Sequence, residues 1–348
     1  MLAERGWDLC FWVDRPSELY EHLAAEGYDV DGAPRHVAYT ARAWRLEPGA
    51  RARARSLPPY LRRFRRFLRH RSPALVHANS TMSLAEGLVA RAGGSPVLLY
   101  VHEMVPAGPR GTMLRRLAWM FDEVVAVSQS SAQRLERSGR RPRIVNGGTP
   151  MPEPPADIRA DPRPFTVGTV GVISPRKGSD LFVEAARRLL EQSARFSFEM
   201  VGPPNEELER EWARTVLARA EAIGVTHRAR ADTFERYRQW DSFVLPSRAD
   251  PFPLSMLEAM ATGIPVIGAR VDGIAEQITD GCGVLVDPED PEDLARAIRR
   301  VAGRSGADRE AMGRAARERI AANFTLEHQA AGMHDAYLAA LAARRHAA

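Results

Sequence analysis

After Pro164 the apolar positions fall into short runs separated by longer stretches of helical period. Phe165–Gly171, Phe196–Gly202, Asp241–Pro246 and Pro265–Gly268 have the length of strands. Asp180–Leu190, Glu206–Ile223, Leu254–Ala261 and Leu294–Val301 space their apolar residues as one face of a helix, and Ile274–Ile278 adds a shorter segment. Strands that alternate with helices need crossover connections, so they pair in parallel, and a parallel sheet must be covered on both faces. This half is therefore expected to be a Rossmann-like α/β domain. The first half repeats the rhythm less cleanly, with strands expected at Asp8–Val13, Ala74–His77, Val97–Val101 and Glu123–Val127.

Between Met151 and Pro164 lie five prolines, Pro152, Pro154, Pro155, Pro162 and Pro164, with neither period, which marks a stiff linker. The division that follows is an incomplete amino-terminal domain over 1–150, a linker over 151–164, a carboxyl-terminal domain over 165–325 and a closing segment over 326–348 whose core, His328–Leu341, is helical. Leu2–Trp7 reads as the tail of a helix ended by Gly6, feeding the strand from Asp8 with nothing before it. A doubly wound sheet that starts this way lacks its first strand, which would leave neighbouring edges unpaired.

Composition narrows the setting. The length of 348 residues, 45% of them hydrophobic, is enough for two cores. Cys10 and Cys282 lie far apart in strand-like stretches, as reduced core thiols would. No run approaches the roughly 18 apolar residues of a spanning helix, and Met1–Asp14 is too charged for a secretory signal, so a cytoplasmic protein is expected. The net charge of +5 divides unevenly: residues 1–150 carry 23 basic and 14 acidic side chains, the remainder 26 and 30. An anionic partner for the first half follows. Among 49 Lys+Arg only Lys177 is a lysine, which singles it out.

Two stretches carry chemistry. Gly171-Val172-Ile173-Ser174-Pro175-Arg176-Lys177-Gly178 joins a strand to a helix start, where backbone N–H groups, a point charge on Lys177 and the fork of Arg176 suit a diphosphate. Read alone, the same residues also make a solvated turn. Ser247–Met260 follows another strand and places Asp250 before a helix and Glu258 within it, eight positions on. Helical rise separates such carboxylates by about 10 Å, suited to the two ends of one polar ligand, although a cap and a solvated residue would look alike.

Pro246–Glu276, PSRADPFPLSMLEAMATGIPVIGARVDGIAE, resembles the donor-binding segment of the family 4 retaining glycosyltransferases, with two acidic residues separated by seven. Gly171–Gly178 is similar to that family's phosphate motif, and the likeness spans roughly 70–345. The resemblance implies a GT-B fold, two Rossmann-like domains facing across a cleft. It also implies retaining, metal-independent transfer of a sugar from a UDP- or GDP-type donor, with no cofactor besides that substrate. Lys177 and Arg176 would neutralise the diphosphate, Asp250 hold the sugar hydroxyls and Glu258 the ribose. Gly171, Phe252, Leu254 and Ser255 would complete the donor site, and His102, after a first-domain strand, would face the transferring sugar. Catalysis would then rest on Lys177, Asp250 and His102.

The departures from the pattern are Val172 where the family has arginine, Asp250 in place of its first glutamate and Pro253 where it has glycine. With the glycine-rich loop of the first strand also absent, an inactive sugar-nucleotide-binding paralogue or truncated product is one alternative, and a GT-B epimerase or phosphorylase another. Arg51–Arg71 holds nine arginines and no acid, with Tyr60, Leu61, Phe64, Phe67 and Leu68 at helical spacing. It is expected to pack on the sheet, and its basic face suits anionic lipid at the inner membrane surface. The acceptor, glycan, lipid or small molecule, is unspecified. Nucleic acid is not expected, since no reading module accompanies the arginines. Asp29-Val30-Asp31 is read as a loop rather than a metal site, and no zinc-type cluster is present.

Overall fold

The computed structural model describes residues 1–14, 17–33, 50–153, 163–205, 209–279 and 281–347. The chain divides into two compact units, one of 1–127, 132–145 and 330–348, the other of 128–131 and 146–329. Pro154, Pro155 and Pro162 of the expected linker, and the first residues of the expected Glu206 helix, lie outside the described residues.

The first unit opens on a short 3-10 turn at Ala3–Arg5, ended by Gly6 at φ 86°. Next come β1 (Cys10–Asp14), α1 (Glu18–Ala25), β2 (Asp29–Ala33), α2 (Ala50–Arg71), β3 (Val76–Asn79), α3 (Leu84–Ala92), β4 (Val97–Val101), α4 (Gly108–Ala118), β5 (Glu123–Ala126), α5 (Gln129–Leu135) and β6 (Arg143–Ile144). These strands form two parallel sheets, β1-β2 and β3-β4-β5-β6, where the sequence rhythm suggested one. Among the described residues β1 pairs with β2 alone and β3 with β4 alone. One core nevertheless serves both: Phe64, Phe67 and Leu68 of α2 pack with Ala78, Leu99 and Val124, and Trp12 of β1 joins them.

Asp29-Val30-Asp31 is not a loop but the start of β2. Its carboxylates face α2, Asp29 pairing with Arg71 at 2.5 Å and Asp31 lying 3.9 Å from Arg63. A strand whose charges meet arginines of the next helix shows no apolar alternation, so its pattern reads as a turn.

The second unit holds β7 (Phe165–Val170), α6 (Ser179–Gln192), β8 (Phe196–Val201), α7 (Arg210–Ala222), β9 (Thr226–Arg228), α8 (Thr233–Gln239), β10 (Ser242–Leu245), α9 (Leu254–Thr262), β11 (Val266–Ala269), α10 (Asp272–Gln277), β12 (Val284–Val286), α11 (Pro291–Ala302) and α12 (Gly306–Asn323). Its sheet has the order β12-β11-β10-β7-β8-β9 with every pairing parallel. Val167, Phe198, Met200, Val244 and Ile267 are buried against Phe182, Ala186 and Leu189 of α6 and Ile298 of α11. From β7 the chain winds outward through β8 and β9, and from β10 it winds the other way. The reversal lies between β7 and β10, the point at which open α/β sheets leave a ligand crevice at their carboxyl ends.

The last helix, α13 (Leu326–Ala347), contributes residues to both units. Within the first, Tyr337 approaches His77 of β3 at 2.8 Å and His334 accepts from Trp7 Nε1 at 2.9 Å. No helix among the described residues is long and apolar enough to cross a membrane.

Candidate functional site

Both chemistry-bearing stretches emerge at this reversal point, one after β7 and the other after β10. They are stitched together. Arg248 N donates to Arg176 O at 2.8 Å, Arg176 donates to Ala249 O at 3.0 Å, and Arg248 reaches Pro175 O at 2.6 Å. Arg248 also forks onto both oxygens of Asp180, in the first turn of α6, at 2.7 and 2.8 Å. Burial alone would raise the Asp180 carboxyl, but the Arg248 bonds and charge, with two backbone N–H groups, hold it below the ordinary value.

Gly178 makes the approach sterically feasible. It occupies the N-cap position of α6 at φ 69°, and a Cβ there would stand 1.9 Å from Pro246 O. Only a residue without a side chain fits between the loop and the end of β10.

Lys177 is directed inward. Its stem runs alongside Gly171, where a Cβ would just touch Lys177 Cδ and Cε at 3.4 Å. Nζ donates to Asp250 Oδ2 at 2.6 Å, the lysine side chain being 15% exposed and the aspartate 7%. Arg176, half exposed, stands 3.7 Å from the same oxygen, and Ser247 donates to it at 3.3 Å. The backbone of Asp250 is fixed too: its N–H donates to Asp272 Oδ2 at 3.1 Å and its carbonyl accepts from Gly273 N at 3.0 Å. Gly171, Arg176, Lys177 and Asp250 are thus brought together, and the ammonium and the carboxylate satisfy each other.

The two flanking helices start without side-chain caps, since Gly178 and Pro253 hold the cap positions of α6 and α9 and neither has an acceptor to offer. At α6 two first-turn amides, Asp180 N and Leu181 N, serve the Asp180 carboxylate, whereas a helix start such as that of α9 suits an anion. Phe252 is buried against Phe324 with ring centres 5.5 Å apart, which braces the loop, while Leu254 stands exposed at the first position of α9. Ser255 follows in that turn, its carbonyl accepting from Tyr237 Oη at 3.2 Å. Glu258 lies one turn on and accepts from Tyr237 Oη at 2.9 Å. Burial raises the Glu258 carboxyl above its ordinary value, and bonds from Tyr237 and Thr233 oppose that rise. Val172, at the position where the resembled family has arginine, is an exposed apolar residue.

In the first unit His102 follows β4. Its Nε2 meets Asn79 Oδ1 at 2.7 Å; a carboxamide oxygen only accepts, so Nε2 carries the hydrogen and Nδ1 is left as an acceptor. Burial lowers its pKa, against an opposing effect of Glu103, so the ring is neutral at pH 7. Glu103 ties the loop after β3 to that after β4 by accepting from Ser80 Oγ and from Thr81 N.

Arg248, Asp272 and Tyr237 were not legible as site residues. Arg248 acts through a partner 68 positions away, and Tyr237 sits on a helix of seven residues too short to show a period.

Comparison with known proteins bears on the family and the fold. Residues 2–150 match a family described as Glycosyltransferase Family 4, and 152–319 match Glycosyl transferases group 1. D-inositol 3-phosphate glycosyltransferase of Salinispora tropica is 33% identical over 196 residues, 53% of this chain and 40% of that protein. The protein of the same description from Geodermatophilus obscurus is 37% identical over 183 residues, 49% of this chain and 39% of the relative. The matched stretch thus spans about two fifths of these curated relatives. Among solved structures, sucrose-phosphate synthase from Thermosynechococcus elongatus superposes with a TM-score of 0.75 at 25% identity, over 94% of this chain and 92% of its own. Anabaena HepE, solved in complex with UDP and glucose, gives 0.78 at 17% identity over 93% and 90%, a likeness of fold.

Proposed function

Because the chain belongs to the glycosyl transferases group 1 family, its two halves matching family 4 and group 1 in order, we propose that it moves a sugar from a nucleoside diphosphate donor to an acceptor hydroxyl with retention. Its fold is GT-B, α/β units built on parallel sheets. The observation that carries the reading is Lys177 held against buried Asp250 at the reversal point between β7 and β10, with the start of α9 beside it.

As the bond from the anomeric carbon to the diphosphate breaks, negative charge grows on the leaving phosphate. In this reading Lys177 and Arg176 receive that charge, so the transition state is stabilised more than the bound donor. Asp250, released from Lys177 by the incoming phosphate, accepts from hydroxyls of the donor sugar. Glu258 accepts from the ribose. No step in this scheme calls on a metal ion.

The acceptor side is proposed to meet an anion. A cavity of about 690 Å³ in the first unit is lined by Arg62, Arg63, Arg66, His70 and Arg71, with Asp31 and Phe67. Phosphate chemistry of this kind, on a lipid headgroup or on a soluble acceptor, fits such a wall, and the curated relatives are named for D-inositol 3-phosphate. Sedimentation with phosphatidylserine vesicles but not phosphatidylcholine vesicles identifies the lipid source; competition by free inositol phosphate alone identifies the soluble one.

A thermal-shift screen of UDP- and GDP-sugars on wild type and Lys177→Ala tests the donor reading. One donor should raise the melting temperature of the wild type only; equal shifts in both proteins, or none in either, contradict it. Release of free nucleotide that requires an acceptor separates transfer from epimerase or phosphorylase chemistry and from an inactive paralogue.

A further inference from the structure

We propose that Tyr237, assisted by Thr233, is a positioning residue for the nucleotide's ribose: α8 holds the Glu258 carboxylate oriented so that its remaining lone pairs meet a vicinal diol. The proposal rests on the donor reading given above for Glu258, and it concerns residues that carry no catalytic role there.

The Tyr237 ring is fully buried and set edge-on to Phe234, Trp240 and Phe243 with centre distances of 6.0, 5.7 and 5.6 Å. Three such contacts fix where its hydroxyl can be. The phenol has one proton and two acceptors in reach, Glu258 Oε2 at 2.9 Å and Ser255 O at 3.2 Å. The shorter contact is also the charged one, and a hydrogen bond to a carboxylate is about twice as strong as one to a neutral carbonyl. The two acceptors are three residues apart, so one hydroxyl latches the first turn of α9 and the carboxylate above it.

A carboxylate offers about four lone-pair positions. Tyr237 occupies one of them, on Oε2, which leaves others for two ribose hydroxyls. The same bonds govern ionisation. Burial pushes the Glu258 carboxyl up, and the two hydroxyls of α8 pull it back. The charged groups of the other elements packed on α9 are engaged elsewhere: Arg317 of α12 with the carbonyls of Ala261 and Pro152, Asp272 of α10 with Asp250 N, and Glu276 of α10 with Gln129 N and Ser130 N. Protonation at Glu258 is therefore set by burial and by α8. A protonated carboxyl accepts a diol poorly, so the loss of either hydroxyl weakens binding first on the acid side.

Calorimetric titration of UDP and GDP, each with its 2′,3′-dideoxy analogue, against wild type, Tyr237→Phe and Glu258→Gln between pH 8 and 5.5 tests this. Wild type should prefer the ribonucleotide by about thirtyfold, Glu258→Gln should erase the preference, and Tyr237→Phe should reduce it about tenfold. In Tyr237→Phe the dideoxy affinity stays unchanged while the acid limb of ribonucleotide binding moves to higher pH. If Tyr237→Phe keeps the full preference and the wild-type limb while Glu258→Gln loses the preference, the positioning role is overturned and the donor reading stands. If Glu258→Gln keeps the preference, or no ribonucleotide binds, the donor reading falls and takes the proposal with it. Phenylalanine preserves the ring contacts, so the variant should fold. Should it not, Thr233→Val reads the same acid limb: a shift to higher pH supports the positioning role, and an unmoved limb overturns it.

Discussion

Gly178 has no substitute in its place. Alanine there would need both a left-handed backbone at φ 69° and a Cβ 1.9 Å from Pro246 O, so Gly178→Ala should cost about 2–4 kcal/mol in denaturant unfolding and weaken nucleotide binding with it. Arg248 depends on its shape. Lysine keeps the charge but cannot fork onto Asp180 while reaching Pro175 O, so Arg248→Lys should lose about 1–2 kcal/mol, an amount limited by the partial exposure of both partners. Of the acids, Glu258→Ala is expected to weaken nucleotide binding, whereas Asp250→Ala should lower kcat more than affinity, because sugar hydroxyls need their acceptor most as the bond breaks. Unchanged kinetics in both would refute those roles.

Elements were legible where one face is apolar and long. Helix α6, with Leu181, Phe182, Ala185, Ala186 and Leu189 buried, and strand β4, buried throughout, follow from period alone. Charged β2 and short α8 do not, because their faces are satisfied by partners distant in sequence: Arg71 for Asp29, and Glu258 for Tyr237. The site shows the same division. Lys177, Arg176 and Asp250 could be placed from loop position at strand ends, but that the lysine pairs with the aspartate emerges only once β7 and β10 are neighbours. The contact between β3 and α13 carries a pH signature. Burial, and secondarily the nearby His102, lowers the His77 pKa from 6.5 to about 4, while Nδ1 meets Tyr337 Oη. Below pH 6.5 the unfolded chain takes up the proton that the folded chain refuses, so stability falls as pH drops toward 4 and levels off there, by about 3 kcal/mol in all. Melting curves across this window should show that slope in wild type and a flatter one in His77→Gln; parallel slopes would remove His77 as the cause.

For the whole molecule, the two units differ in what they present. The excess of basic over acidic side chains lies in the first 150 positions, whereas the only lysine and the reversal point beside it belong to the second unit. A nucleoside diphosphate should therefore protect amides from hydrogen exchange chiefly over 171–182 and 250–262, with little change in α2. Protection centred on α2 would move the donor site to the other unit.

The most direct test of the central claim, that Lys177 grips a diphosphate, varies the protein and the ligand together. Calorimetric titration of UDP and UMP into wild type and Lys177→Ala isolates the pairing of the ammonium with the β-phosphate, because any general disturbance from leaving Asp250 unpaired affects both nucleotides alike. Wild type should favour UDP over UMP by about a hundredfold, and Lys177→Ala should shrink that preference to about threefold. An undiminished preference for UDP in Lys177→Ala would contradict the account.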